Sequence, residues 1–220
     1  MFTLLFTLSL LLPEGYFTAY SGNAQDAMEF YCENKSLFDR HFQGASAEEK
    51  KIAFAIVAPE VSCYDVFMDF VETEAMKHKY VDSGECDYSI GYFQMKPSFV
   101  ESLENEVFRS SVLRAKYGAA LAYSREGSAT DKRRERLGRL CQTEWQVRYL
   151  AIFLEIVKAR TAGWGLAGSE ECLRYWATMY NAGFYLSKAR VRQRQSVKQF
   201  PRSTNEFNYS AVAVEFYKML

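Results

Sequence analysis

Only 4 Pro and 12 Gly occur in 220 residues, too few for long linkers, low-complexity tracts or a loop-rich scaffold. Histidine is scarcer still. His41 and His78 are the whole complement, and Cys32, Cys63, Cys86, Cys141 and Cys172 form no C-x-x-C pair, so the spacings that build zinc sites are missing. Neither sign of charge dominates: 27 basic residues face 27 acidic ones, which removes the bulk electrostatic case for a nucleic-acid partner. Alternating strand patterns are almost absent, and no segment repeats. What remains is an all-α chain, long enough for one sizeable core.

One apolar run stands out. Residues 2–12 carry no charge and are too short to span a bilayer, but match the length of a secretory signal core. Pro13-Glu14-Gly15 interrupts the run, and the small residues Ala19, Ser21, Gly22 and Ala24 follow. The expectation is export to the periplasm or cell envelope, with a cut after Ser21 or Ala24. Residues 1–24 would then be a signal peptide or N-terminal anchor, and 25–220 one helical domain. A membrane is a partner only if the segment is retained. No Lys or Arg precedes the run, so a buried N-terminal helix stays open as the other reading. Five cysteines in an exported chain allow one or two disulfides with at least one thiol left over, or five buried free thiols.

Fifteen Tyr, 17 Phe and 3 Trp supply a packed core, or a cleft whose ring faces stack on flat ligands. The periodicity predicts amphipathic helices over 26–42, 64–80, 97–103, 107–122, 143–162, 170–180 and 208–220. Ser46 with Glu49 forms a capping box, and Ser169 is placed as another cap. The helix after Ser46 is apolar all round from Ile52 to Ala58, which marks it as buried. Two charge-dense stretches, 125–139 and the six basic residues from Lys188 to Arg202, read as solvated surface, with a patch for an anionic polymer the alternative for the second.

Three local features carry chemistry. Glu60 follows Pro59 at the end of the buried helix, where a carboxylate is costly without a partner or a task. Gln94 sits between Phe93 and Met95 in Gly91-Tyr92-Phe93-Gln94-Met95-Lys96-Pro97, an amide in apolar surroundings that needs hydrogen-bond partners or a ligand. Tyr180-Asn181-Ala182-Gly183 ends another helix, where Asn181 is a substrate contact or simply a cap, and Tyr180 a cleft residue or a core one.

In this order the three segments resemble the lysozyme-like superfamily, specifically soluble lytic transglycosylases and goose-type lysozymes. Ile56-Val57-Ala58-Pro59-Glu60-Val61 is similar to the family's buried helix ending in the catalytic Glu, with Val61 where the family has Ser. Gly91 to Pro97 matches Gly-Leu-Met-Gln-x-x-Pro, and Ala177 to Gly183 matches Ala-x-x-Tyr-Asn-Ala-Gly. The resemblance covers about residues 46–187. It implies a lysozyme-like single helical domain with a substrate cleft, cleaving the β-1,4 bond between N-acetylmuramic acid and N-acetylglucosamine. Glu60 would act as acid and then base, giving 1,6-anhydro ends, while Gly91, Gln94, Tyr180 and Asn181 bind the glycan. Peptidoglycan strands are the implied partner; no metal, cofactor or nucleic acid is implied. A hydrolytic muramidase and a catalytically inactive glycan-binding module are the alternatives, Val61 being the cue for the second. Glu60 and Gln94 are 34 positions apart (94 − 60), which leaves Glu72 and Glu74 as rival acids.

Overall fold

The computed structural model describes residues 15–124 and 127–220; the apolar run at 2–12 lies outside them. Eleven α-helices are found among the described residues, with two isolated β-bridges and no strand. In order they are α1 (Tyr16–Ala19), α2 (Ser21–His41), α3 (Ala47–Ser62), α4 (Val66–Ser83), α5 (Pro97–Arg109), α6 (Ser111–Leu121), α7 (Ala129–Leu140), α8 (Thr143–Thr161), α9 (Gly168–Ala182), α10 (Lys188–Gln195) and α11 (Tyr209–Met219). The all-α expectation is met. No described helix is long and apolar enough to cross a membrane.

The apolar helix α3 is the axis of the core. Ile52 through Ala58 are all buried, and α2, α8, α9 and α11 pack around them. Its start is fixed as expected: Ser46 Oγ accepts from the Glu49 amide at 3.1 Å, and Glu49 Oε2 accepts from the Ser46 amide at 2.9 Å. Asp65 Oδ1 accepts from the Phe67 and Met68 amides, both at 2.9 Å, and starts α4. Gly84 at φ +79° stops it.

Several expectations need correction. Ser169 is not a cap: α9 starts at Gly168, and its N-cap residue, Ala167, makes no side-chain cap. The cysteines are all free, and none is buried; Cys32, Cys63 and Cys141 are exposed, and Cys86 and Cys172 half-buried. The boundary placed between 24 and 25 falls inside α2. Tyr16, ahead of both expected cut points, is fully buried, and its hydroxyl lies 2.7 Å from Ser62 Oγ.

The stretch at 125–139 differs most from expectation. Its helix α7 buries two of its arginines, because carboxylates and phenols from other helices meet them. Arg136 donates to Glu104 Oε2 at 2.7 Å, Glu101 Oε1 at 2.6 Å and Tyr80 Oη at 2.8 Å. Glu104 also accepts from Tyr123 at 2.7 Å and Tyr149 at 3.0 Å. Arg139 donates to the Leu121 and Ala122 carbonyls and stacks over Trp145. A buried charge survives only when fully hydrogen-bonded; Arg139 has one local partner, Glu135 at 2.7 Å, but the partners of Arg136 all come from other helices or loops. The network ties α4, α5 and α8 to α7, and α4 in turn walls the cleft.

The stretch at 188–202 is split. Most of α10 is exposed, apart from buried Val191, whereas Arg202 reaches a cleft.

Candidate active site

A cleft of about 810 Å³ opens between the end of α3, the first half of α4, the 91–96 loop, the end of α9 and the loop before α11. Glu60, Gln94, Tyr180 and Asn181 all line it, so four of the five expected site residues meet in one place. Gly91 is not among the lining residues.

α3 runs through Pro59 and ends at Ser62, which puts Glu60 in its last turn. Pro59 has no amide to give the Ala55 carbonyl, but other carbonyls at this helix end have side-chain partners: Tyr209 Oη donates to the Ile56 carbonyl at 2.9 Å, Ser62 Oγ to that of Pro59 at 2.7 Å, and Asn23 Nδ2 to that of Ser62 at 2.8 Å. The Glu60 carboxyl itself accepts no hydrogen bond from the described residues. Burial pushes its pKa up to about 7, against the opposing pull of the Arg202 charge. The negative end of the α3 dipole acts in the same direction as burial. Glu60 is thus half-protonated near neutral pH.

Of the rivals, Glu74 points out to Lys77, 2.6 Å away, and is not part of the lining. Glu72 does line the cleft, and burial raises its pKa as well. It stands on α4, outside the core, whereas Glu60 is carried by the central helix. Tyr180 and Tyr209 also lie close enough to Glu60 that its charge adds to the burial that raises both phenols.

The Gly91–Gln94 stretch is a tight turn closed by a bridge between Ile90 and Met95. Gly91 takes φ +72°, and its amide donates to Asp69 Oδ1 at 2.6 Å; Tyr64 Oη donates to Asp69 Oδ2 at 3.1 Å. Behind the turn sits Gln146, buried on α8. Its Oε1 accepts from the Phe93 amide at 2.9 Å, and its Nε2 donates to the Ile90 and Leu140 carbonyls at 3.1 and 2.6 Å. A Cβ on Gly91 would come within 1.7 Å of Gln146 Nε2. Gly91 therefore shapes the wall from behind. Gly91→Ala should cost more than about 2 kcal/mol, from the left-handed backbone and displaced Gln146 hydrogen bonds together. An unchanged urea midpoint would contradict this.

Gln94 ends the turn at φ +49°, unusual for a non-glycine residue, and its Nε2 donates to the Gly91 carbonyl at 3.0 Å. Its Oε1 makes no hydrogen bond with the described residues. Tyr180 is buried, with its hydroxyl donating to the Phe93 carbonyl at 2.6 Å, so its main polar bond is to the protein. Its ring packs edge-on against Phe99 and Phe153. Asn181 is exposed and has no hydrogen-bond partner among the described residues; Gly183, at φ +113°, is the helix cap instead. Asn181→Ala should therefore leave the melting temperature unchanged. It should lower turnover of a cleft ligand about five- to tenfold, the effect of one neutral hydrogen bond. A fall in melting temperature without loss of turnover would make Asn181 a structural residue.

The residues missed from sequence are Asp69, Gln146 and Arg202; Glu72, expected as a rival acid, does line the cleft. Gln146 left a signal as an amide on the apolar stripe of its helix, and Arg202 as the last of the basic run read as surface or as a patch for an anionic polymer. No group of three His, Cys, Asp or Glu converges among the described residues to hold a metal. No family model, curated protein or solved structure matches the chain, so the site's own chemistry is the basis for a functional reading.

Proposed function

We propose that this chain is a peptidoglycan-cleaving enzyme acting on the β-1,4 bond between N-acetylmuramic acid and N-acetylglucosamine, as a lytic transglycosylase of lysozyme-like fold. The observation that carries the reading is Glu60: a carboxyl without hydrogen-bond partners among the described residues, held by a core helix at a cleft, with its pKa pushed up to about 7 by burial. Glycosidic cleavage needs such an acid to protonate the leaving oxygen. A second carboxylate is not obligatory, because groups of the substrate can complete the reaction.

Protonated Glu60 gives its proton to the glycosidic oxygen as the C1–O bond breaks. The resulting carboxylate then takes the proton of the muramic acid 6-hydroxyl, whose oxygen closes on C1. One 1,6-anhydro end forms, one hydroxyl end is released, and Glu60 is reprotonated. Asn181 and the free Oε1 of Gln94 are positioned to hold N-acetyl groups, with Tyr180 bracing the Gln94 turn through the Phe93 carbonyl. The chain acts outside the cytoplasm, in the periplasm or cell envelope, where its substrate lies.

Buried Val61 favours one other reading, a glycan-binding module without cleavage, because it denies the acid a neighbouring hydroxyl. Incubation with purified sacculi separates the two. The proposed enzyme releases soluble muropeptides; a protein that cosediments with sacculi and releases none is a binding module.

A further inference from the structure

Residues 196–208 join α10 to α11 as a loop pinned on both flanks. Phe207 N–H donates to the Phe200 carbonyl at 2.8 Å, and Phe200 N–H returns to the Phe207 carbonyl at 3.1 Å. Within the loop, Asn205 N–H donates to the Pro201 carbonyl at 2.8 Å. The Phe200 and Phe207 rings each lie 5.7 Å from the Tyr16 ring in the core. The backbone carrying Arg202 is thus anchored, while the Arg202 side chain stands exposed in the wall of the cleft.

Five carboxylates share that lining: Glu60, Asp65, Asp69, Glu72 and Asp87. Three are occupied elsewhere. Asp65 caps α4, Asp69 holds Gly91 and Tyr64, and Asp87 accepts from the Ser98 amide at 2.9 Å and hydroxyl at 2.6 Å. Lys96, the other cationic lining residue, lies 4.0 Å from Asp87. Arg202 forms no ion pair and no hydrogen bond with any described residue, despite this surplus of acids.

We infer that Arg202 is an anion subsite of the cleft, which takes a carboxylate carried by the glycan. The inference rests on the glycan-cleaving reading and adds to it the residue that recognises the acidic sugar and rejects a neutral strand. A guanidinium on an anchored backbone presents a planar fork of donors that matches a carboxylate and has nothing comparable to offer an uncharged N-acetylglucosamine polymer. The lactyl group of N-acetylmuramic acid supplies that carboxylate on alternate sugars.

The test uses Glu60→Gln, so that binding is read without cleavage. Its Kd is measured for peptide-free strands of alternating N-acetylglucosamine and N-acetylmuramic acid, and for the same strands with their carboxyls amidated. Amidation should weaken binding about tenfold, the effect of one charge-assisted hydrogen bond in an open cleft. Adding Arg202→Gln should weaken binding of the acidic strands by the same factor and leave the amidated strands unaffected; Arg202→Lys should restore part of the loss. The inference is overturned if Arg202→Gln leaves the acidic-strand Kd unchanged, or weakens both strands alike. Failure of Glu60→Gln to bind either strand would overturn the glycan reading itself, and the subsite with it.

Discussion

Glu60→Gln is expected to release essentially no soluble glycan from peptidoglycan, and to unfold at no lower a temperature than the parent. Both halves follow from the same carboxyl. Removing an acid catalyst typically costs about 100- to 10,000-fold in rate, and an amide of the same shape has no proton to give. The stability half follows from linkage. Glu60 has a folded-state pKa raised from 4.5 to about 7, so the folded protein binds the proton more tightly than the unfolded chain does. Its contribution to stability is therefore fully present below about pH 4.5, declines as pH rises towards about 7, and stays lost above that. Glu60→Gln removes this decline. Urea midpoints of the two proteins should be similar near pH 4 and diverge in favour of the variant near pH 8. Activity of the parent should fall on the alkaline side with a midpoint near 7 in kcat/KM. Retained activity in Glu60→Gln, with loss in Glu72→Gln, would transfer the acid role to the other raised carboxyl in the cleft.

Tyr16→Ala should unfold far more readily than the parent, by about 3–5 kcal/mol, the range for deleting a buried aromatic side chain. The ring is fully buried, with centroids of Tyr20 at 5.0 Å, Phe200 and Phe207 both at 5.7 Å and Phe216 at 6.2 Å. It thereby joins α1 to α11 and to the Arg202 loop. Its hydroxyl lies 2.7 Å from Ser62 Oγ, which itself donates to the Pro59 carbonyl, so Tyr16 also steadies the helix end beside Glu60. Tyr16→Phe keeps the packing and loses about 1 kcal/mol. A chain beginning at Asn23 should be destabilised at least as much as Tyr16→Ala. An unchanged urea midpoint in Tyr16→Ala would show that the N-terminal helices contribute nothing to the core.

The contrast between Glu60 and Gln146 shows what the sequence made legible. Ile52 to Ala58 are apolar on every face, so burial of α3 and the odd carboxylate at its end could be read from one dimension. The capping box at Ser46 was equally local. Gln146 is different, because its partners at Ile90, Phe93 and Leu140 come from two other parts of the chain. Its place on an apolar stripe marks it as buried, but the partners that make it a clamp, Ile90 and Phe93, lie more than fifty residues away. The same holds for Arg136 and Arg139: a run rich in Lys and Arg reads as solvated until Glu101, Glu104 and Tyr149 are brought to it by α5 and α8. The burial of Tyr16 was hidden because the small residues after Pro13 read as a cleavage site as readily as the start of a helix. Gly91 was placed in the site because glycine permits a close ligand approach; the neighbour that needs the space is Gln146.

Mass analysis of the fragments released when the parent protein is incubated with purified sacculi tests the central claim most directly. The account predicts soluble muropeptides ending in 1,6-anhydromuramic acid, made by Glu60 acting as acid and then base. Fragments with reducing ends would move the chemistry to water as the nucleophile, and sacculi left intact by a folded protein would contradict the assignment of Glu60 as a catalytic acid.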